Sequence, residues 1–160
     1  MDIKLNKKIL ISSDHAGFNL KNEILSFLKE KGYEVSDMGP QILNKEDDYP
    51  LTISPLAFKV ASSTEKYFGI VIGKSGQGEA MVCNRYPGIR AIVYYGQNKT
   101  GNADQILKLG REHNDSNILS LGADFISAEE AKSAILTWLE TPFSNEEKHI
   151  RRNGMLDSLE

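Results

Sequence analysis

A glycine-rich turn, Gly73–Glu79, carries the residues of this 160-residue chain that are best suited to chemistry. Its sequence is GKSGQGE. It follows an apolar run and precedes a helical stretch, so its backbone N–H groups suit an anion or the oxyanion of a reaction intermediate. The turn is not a nucleoside-triphosphate P-loop, because Phe68 occupies the position of that motif's first glycine, and its glycine spacing does not match G-x-G-x-x-G. The alternative is a tight turn that binds nothing.

Glu79 falls in the first turn of the helix predicted after this glycine-rich segment. An acidic side chain there can simply complement the positive end of the helix dipole. It can also be a partly desolvated general base beside an oxyanion-binding turn. The residues alone leave both interpretations open.

Two histidine segments and a basic tail carry further side chains suited to catalysis or anion binding. Asp14 and His15 directly follow the first apolar run, and His113 follows a helical stretch. Taken singly, Asp14 or His15 would more often cap a helix, and His113 would more often complement a helix dipole. The tail that includes Lys148 and Arg152 is either a solvated face or a phosphate site built from cations.

The elements that position these residues are predicted from apolar runs that alternate with helical patterns. Short apolar runs predict five strands, at Lys8–Ser13, Tyr33–Asp37, Tyr67–Gly73, Ile89–Tyr95 and Asn117–Leu121. Helical spacing and capping signals predict the helices. The first helix is Phe18–Lys31, and the second is capped by Ser54, has Pro55 at its first position and runs to Ser62. The third is a stretch through Arg85, and the fourth is Ala103–Arg111. The fifth extends from the capping box of Ser127 and Glu130 to about Thr141, and the last lies in the tail after Phe143.

This alternation predicts an α/β fold with three layers, αβα, in which a five-stranded parallel Rossmann-like sheet carries an extra C-terminal helical tail. We expect residues 1–160 to form a single domain, since no linker or repeat divides them. Ligands of open parallel sheets bind beyond the carboxyl ends of the strands. This rule directs attention to three regions: Ser13–His15, Gly73–Glu79 and the surroundings of His113.

The composition excludes several classes of protein. With 19 Lys and Arg against 22 Asp and Glu, the net charge of −3 lacks the basic footprint of nucleic-acid binding. Cys83 is the only cysteine, which excludes a disulfide within the chain and a thiolate zinc site, and we expect it to be a small core residue. No apolar run approaches the roughly 20 residues of a membrane span. The segment Met1–Lys4 shows no signal-peptide pattern, so we expect a cytoplasmic protein with no membrane partner.

Several motifs along nearly the whole chain occur together in one order. They are Ser13-Asp14-His15-Ala16-Gly17, Asp48-Tyr49-Pro50, Gly69-Ile70-Val71-Ile72-Gly73, Ser75-Gly76-Gln77-Gly78, Asn84-Arg85-Tyr86-Pro87-Gly88-Ile89-Arg90-Ala91, Arg111-Glu112-His113-Asn114-Asp115 and Lys148-His149-x-x-Arg152. In this order they resemble the type B ribose-5-phosphate isomerases, together with their galactose-6-phosphate and allose-6-phosphate isomerase relatives. Each motif alone is weak, whereas so many in register are specific.

The resemblance implies aldose–ketose isomerisation of a sugar phosphate through an enediolate, with no metal and no organic cofactor. Many family members have a catalytic cysteine at the position of Gly73, and this chain is similar to the other branch, whose base is a glutamate, here Glu79. The resemblance assigns the oxyanion hole to Ser75 and the N–H groups through Gly78. It assigns ring opening to His113, donated by a neighbouring subunit, and so implies a homodimer or a tetramer with shared sites.

The resemblance also assigns the substrate-binding residues, with two departures from the glutamate branch. It places the sugar hydroxyls and the phosphate against Asp14, His15, Lys74, Gly76, Gln77, Gly78, Asn114, Lys148 and Arg152. That branch has three arginines for the phosphate, where this chain has Asp124, Lys148 and Arg152. Lys148 loses the bidentate fork of arginine, and Asp124 reverses the charge. Lys74 stands where the branch usually has glycine.

The first functional hypothesis is therefore the interconversion of ribose 5-phosphate and ribulose 5-phosphate. A second is the same chemistry on a hexose 6-phosphate or another pentose phosphate. A third is a non-catalytic sugar-phosphate-binding protein on the same scaffold, which would need neither a base nor a ring-opening acid. A flavodoxin-like nucleotide-binding module ranks last and predicts a co-purifying flavin or nucleotide.

Overall fold

A computed structural model of the chain describes residues 6–96 and 102–159. The segment Met1–Lys4, in which no signal-peptide pattern is found, lies outside these residues. Within the described ranges the chain forms five strands and six helices, in the alternating order that the sequence predicts. The strands are β1 (Lys8–Ser13), β2 (Val35–Asp37), β3 (Tyr67–Gly73), β4 (Ala91–Tyr94) and β5 (Ile118–Gly122).

The helices connect successive strands and add a C-terminal tail. They are α1 (Phe18–Glu30), α2 (Tyr49–Ser62), α3 (Gln77–Cys83), α4 (Asp104–Glu112), α5 (Ala128–Glu140) and α6 (Glu147–Asp157). The capping box that was predicted for α5 is present, since Ser127 Oγ accepts from the Glu130 N–H and the Glu130 carboxylate accepts from the Ser127 N–H. In the described part of the chain, no helix has the length and apolar character that crossing a membrane requires.

The five strands form one parallel sheet in the order β2-β1-β3-β5-β4. Helices α1, α4 and α5 cover one face around Ile11, Leu107 and Trp138, whereas α2 and α3 cover the other around Val71 and Leu56. The predicted three-layer αβα architecture is therefore confirmed. Because β1, β3 and β5 are covered on both faces, they are almost entirely buried, which explains their mainly apolar sequences.

The predicted start of α2 at Ser54 and Pro55 is wrong, since the helix begins six residues earlier, at Tyr49. Pro50 occupies the first turn, where a missing N–H costs nothing, and Pro55 lies inside the helix. The Ser54 hydroxyl caps nothing and donates to the Pro50 carbonyl within the helix. The earlier start brings Tyr49 to the carboxyl edge of the sheet, next to the glycine-rich turn.

The expectation that His113 lies beyond the carboxyl ends of the strands is also wrong. His113 follows α4 and precedes β5, and the Asn114 carbonyl accepts from Arg90, which lies just before β4. This region therefore lies at the amino edge of the sheet. Asp14 and the turn after Gly73 lie at the carboxyl edge, as predicted.

Candidate active site

Asp14 is fixed at the carboxyl edge of the sheet, directly after β1. Its N–H donates to the Ile72 carbonyl at 3.2 Å, and its Oδ1 accepts from the Gly17 N–H at 3.0 Å. A Cβ on residue 17 would lie 2.3 Å from the Ile72 carbonyl oxygen, so only glycine lets the chain pass so close to β3 here. The Asp14 side chain is consequently buried and rigid, and it lies between β1, β3 and the start of α1.

The glycine-rich turn between β3 and α3 is held firmly against β5. Gly76 has φ +78°, a conformation that favours glycine, and its carbonyl accepts from the Ser120 hydroxyl at 2.6 Å. A Cβ on Gly122 would lie 2.7 Å from the Ser75 carbonyl oxygen, so the turn rests directly on the end of β5. The Ser75 hydroxyl accepts from the Gln77 N–H at 3.3 Å. The donors of this turn therefore have fixed positions before any ligand arrives.

Glu79 lies in the first turn of α3, as predicted, and its side chain is buried with only 4% exposed. Its carboxyl group fills the space beside Gly73, because a Cβ on that glycine would lie 2.1 Å from Glu79 Cδ. The pKa of Glu79 is raised to about 7, chiefly by burial and in smaller part by Asp14 and Asp47, against the opposing effect of a backbone hydrogen bond. A carboxyl group that is half ionised near neutral pH can both accept and return a proton, which favours the general-base interpretation over simple dipole complementarity.

Two further residues lie at this edge, and the sequence alone assigns neither of them a role. Tyr49 belongs to the Asp48-Tyr49-Pro50 motif, and Asp47 directly precedes that motif. The Tyr49 ring lies against the turn, since a Cβ on Gly78 would lie 2.9 Å from Tyr49 Cζ. Asp47 Oδ1 lies 2.6 Å from Nδ1 of His15. This hydrogen bond is the first cause that raises the pKa of His15, and the charge of Asp14 adds to it.

Asp124, the residue that departs from the expected arginine, lies beside the same turn. Its N–H donates to the Lys74 carbonyl at 3.1 Å, and its carboxylate lies 3.8 Å from Lys74 Nζ. Both side chains are well exposed, so this ion pair contributes little to stability. Lys74 nevertheless places a positive charge next to the negative charge of Asp124.

A second cluster lies around His113 at the amino edge of the sheet. The His113 ring stacks on His149 of α6, with 4.2 Å between ring centroids and 15° between planes. Asn153 Nδ2 donates to the His113 carbonyl at 3.1 Å. These residues line a cavity of about 370 Å³ together with Asn114 and Arg152. His149 Nε2 and Asn153 Oδ1 are buried there and have no hydrogen-bond partner within the described ranges.

The segment that carries His113 and Asn114 is fixed from two sides by arginines. Arg90 Nε donates to the Asn114 carbonyl at 2.7 Å, and Arg111 Nη1 donates to Asp115 Oδ1 at 2.8 Å. Asp115 has φ +45°, which turns the chain sharply from α4 towards β5. The two arginines offset the carboxylate of Asp115 and hold the turn in one conformation.

The cations of the tail differ in their surroundings. Lys148 pairs with Glu146 at 2.9 Å, and this contact lowers the pKa of Glu146. Arg152 lines the cavity beside His113. Lys148 is therefore already paired with a carboxylate, whereas Arg152 is among the residues that line the cavity.

The predicted site residues thus fall into two groups on opposite edges of the sheet. Asp14, His15, Lys74, Ser75, Gly76, Gln77, Gly78 and Glu79 lie together at the carboxyl edge, and His113, Asn114, Lys148 and Arg152 lie together at the amino edge. The intervening strands β3 and β5 have seven and five residues, which corresponds to roughly 17–23 Å. One chain therefore does not bring the two groups together around a small ligand.

Cys83 has no part in either group. It is fully buried in the core between α2 and α3, as expected, and burial raises the pKa of its thiol to about 12. Among residues 6–96 and 102–159, no cluster of three or more His, Cys, Asp or Glu side chains is arranged to hold a metal ion.

Comparison with known proteins decides the family. A family model described as Ribose/Galactose Isomerase matches residues 9–156. This chain belongs to that family. Ribose-5-phosphate isomerase B of Escherichia coli (strain K12) is 34% identical over 154 residues, covering 96% of this chain and 97% of the relative. Ribose-5-phosphate isomerase B of Mycobacterium tuberculosis (strain ATCC 25618 / H37Rv) is 32% identical over 158 residues, covering 96% and 90%.

Solved structures of the family share this fold over nearly its whole length. The crystal structure of ribose-5-phosphate isomerase B from Mycoplasma genitalium, with bound ribulose-5-phosphate, superposes with a TM-score of 0.87 at 30% identity, covering 96% of this chain and 95% of that chain. The enzyme from Clostridium thermocellum gives a TM-score of 0.83 at 39% identity, covering 94% and 95%. These likenesses confirm the resemblance that the motifs indicate.

The contact between Gly73 and Glu79 leads to a first prediction, on stability. Gly73→Ala should lower the free energy of unfolding by about 1–3 kcal/mol, because the new methyl group overlaps the Glu79 carboxyl group. In a Glu79→Ala background the same change should cost much less, since the overlapping atoms are gone. Urea unfolding of the four proteins measures this coupling.

The matched control for this cycle is Gly154→Ala, since a Cβ there meets nothing within 4 Å and the position lies inside α6. That variant should be neutral or slightly more stable, as helix propensity predicts. Equal costs of Gly73→Ala in both backgrounds would contradict the packing described for Glu79.

A second prediction follows from the raised pKa of Glu79, which is about 7 against an ordinary value of 4.5. Between these values the unfolded chain releases a proton that the folded chain retains, so wild-type stability falls as the pH rises from about 4.5 to 7. Glu79→Gln removes this loss and should be more stable than the wild type at pH 8 by about 3 kcal/mol, with most of the difference gone at pH 5. Urea unfolding at the two pH values measures it, and a difference that does not depend on pH would contradict the assigned pKa.

Proposed function

We propose that this chain is an aldose–ketose isomerase, one domain over residues 1–160, that interconverts ribose 5-phosphate and ribulose 5-phosphate in the cytoplasm. The names of its relatives and the ribulose-5-phosphate bound in the Mycoplasma genitalium structure support this substrate. The observation that carries the proposal is the buried Glu79, with a pKa of about 7, beside a rigid glycine-rich turn. The reaction that we propose proceeds through an enediolate and uses no metal and no organic cofactor.

Glu79 acts as the base for both carbon centres. Its carboxylate removes the proton from C2 of the open-chain aldose, and the electron pair of that bond forms the C1–C2 double bond while the aldehyde oxygen becomes an oxyanion. The protonated Glu79 then returns the proton to C1, and the hydroxyl proton moves from the C2 oxygen to the C1 oxygen. One carboxyl group suffices because C1 and C2 are adjacent and the planar enediolate presents both on the same face.

The turn after Gly73 stabilises the enediolate. In this proposal Ser75 and the N–H groups from Gly76 through Gly78 donate to the developing oxyanion, with Gln77 in the same turn. The bond from Ser120 to the Gly76 carbonyl holds these donors in place before the charge develops, which is the condition for electrostatic stabilisation of a transition state. At the same edge, Asp14 and His15 hold sugar hydroxyls and the phosphate end, and Lys74 adds a cation.

Ring opening requires a second chain. The furanose form of the aldose must open before C2 can be deprotonated, and we assign the acid to His113, with Asn114 beside it, from a neighbouring subunit. Lys148 and Arg152 of the same neighbour bind the phosphate by charge-assisted hydrogen bonds. The separation of the two groups on opposite edges of one chain supports a homodimer with shared sites, which can pair further into a tetramer.

The phosphate-binding residues support a second candidate, isomerisation of a hexose 6-phosphate or another pentose phosphate. Asp124 stands beside Lys74 at the carboxyl edge, and Lys148 is already paired with Glu146. Both features weaken the binding of a phosphate relative to three arginines. A carboxylate at position 124 can instead accept from a sugar hydroxyl. A sugar-phosphate-binding protein without activity would have no use for the elevated pKa of Glu79.

The experiment that tests the function is a panel of substrates with the wild type and Glu79→Gln. The wild type should convert ribose 5-phosphate faster than allose 6-phosphate or galactose 6-phosphate, and it should incorporate deuterium at C1 of ribulose 5-phosphate in heavy water. Glu79→Gln should lower kcat by roughly 10²–10⁴ and abolish the exchange while leaving KM nearly unchanged, because a general base contributes about this much.

The control is Glu129→Gln on the exposed side of α5, which should retain full activity. Near-normal turnover by Glu79→Gln would contradict its role as base. A faster wild-type reaction with a hexose 6-phosphate would favour the second candidate. Binding of sugar phosphates with neither turnover nor exchange would favour the binding protein.

A further inference from the structure

Among the described residues, Asp47 and His15 form the shortest contact between a carboxylate and a histidine. Asp47 Oδ1 lies 2.6 Å from His15 Nδ1, and the sequence separation of 32 residues shows that the two loops meet only through the fold. The contact occupies Nδ1 and leaves Nε2 as the ring nitrogen available to a ligand. The His15 side chain is 41% exposed, so that nitrogen can reach a molecule in the site.

The loop that carries Asp47 is held at two points that precede this residue in the chain. On the near side its N–H donates to the Asn44 carbonyl at 3.2 Å, and the Glu46 N–H donates to Asn44 Oδ1 at 3.0 Å. On the far side the fully buried Lys21 donates to the Pro40 carbonyl at 3.1 Å and pairs with Asp37. These contacts hold the backbone of the loop that carries Asp47.

The Asp47 carboxylate is also poorly solvated. Its side chain is only 9% exposed, and Oδ2 is buried without a hydrogen-bond partner among the described residues. A buried carboxylate needs a compensating charge, and an imidazolium on His15 supplies it. The contact with Asp47 therefore favours the protonated form of His15.

The groups that face His15 are all acidic. Asp14 on its own loop, and Glu46 and Asp47 on the neighbouring loop, each raise the pKa of His15. Glu79 of α3 is in turn affected by Asp14 and Asp47. A phosphorylated sugar that enters this edge meets several carboxyl groups, so a cation held among them is needed to receive its negative charge.

We propose that Asp47 is a positioning residue that keeps His15 protonated and directs its Nε2–H to the phosphate of the substrate. This inference rests on the proposed function, in which His15 binds the substrate. It gives this chain a cationic donor at the edge where Asp124 replaces an arginine and where Lys74 is partly offset by that aspartate. The contact of Asp47 with His15 acts mainly on binding, because the charge of Asp47 is the smallest of the causes that shift the pKa of Glu79.

The test is Asp47→Asn, which keeps the shape of the side chain and removes its charge. The pKa of His15, followed by the NMR titration of its Cε1 proton, should lie above 6.5 in the wild type and fall in the variant. The KM for ribose 5-phosphate should rise several-fold at a pH between the two measured pKa values, where only the wild-type His15 is protonated, and change much less at a lower pH, where both are protonated. The kcat should change little.

Asp48→Asn is the matched control, because it removes a neighbouring exposed carboxylate that makes no side-chain cap contact. It should leave both the titration and the KM near their wild-type values. In a His15→Gln background, Asp47→Asn should add no further pH-dependent change in KM, because its effect passes through the imidazole.

Three results would overturn the proposal. The first is a wild-type His15 pKa at or below 6.5, and the second is an unchanged pKa of His15 in Asp47→Asn. The third is an equal rise in KM at both pH values, which would indicate a structural effect alone. The wild-type titration needs no variant to fold, and the affinity for inorganic phosphate at the same two pH values provides a binding measurement that needs no turnover. A failure of the isomerase assignment would leave these readouts intact and is therefore distinguishable from a failure of the role of Asp47.

Discussion

The common direction of the five strands determines where every functional group of this protein can lie. Because all pairs in the sheet are parallel, the loops after β1, β3 and β5 meet at one edge, and they bring Asp14, the glycine-rich turn and Asp124 together there. The same rule sends the end of α4 to the opposite edge, where His113 stacks on His149. In our proposal the base and the ring-opening acid lie on these opposite edges, so they serve one substrate only if two chains meet. The proposed sharing of sites is thus a consequence of topology as much as of chemistry.

At the carboxyl edge, the chemistry depends on space that glycine leaves free. Gly73 provides the volume into which the Glu79 carboxyl group folds, and burial there brings the pKa of Glu79 close to neutral pH. Burial of this ionisable carboxyl group opposes stability at neutral pH, a cost that the proposed role of Glu79 as base would explain. Any larger side chain at position 73 would overlap this carboxyl group.

The sequence allowed most of the fold and one half of the site to be predicted. The apolar runs of β1, β3 and β5 and the capping box of α5 are local signals, and the structure confirms them. The start of α2 was misplaced because Pro50 and Pro55 give similar local signals and only the fold distinguishes them. The contact between Asp47 and His15 depends on how two loops approach each other in space, which no spacing in the sequence reveals. The edge on which His113 lies follows from its order in the chain, between α4 and β5, once the strands are known to be parallel.

The most direct test of the shared site is complementation between two inactive variants. Glu79→Gln lacks the base and His113→Ala lacks the acid, so the homodimer of each should be nearly inactive with ribose 5-phosphate. When the two are refolded together in equal amounts, about half of the dimers should be hybrids with one intact site each, which restores about a quarter of the wild-type activity. Differently tagged chains allow the hybrid to be isolated and assayed alone. A purified hybrid no more active than its parents, or a fully active monomer by sedimentation, would contradict a site built from two chains.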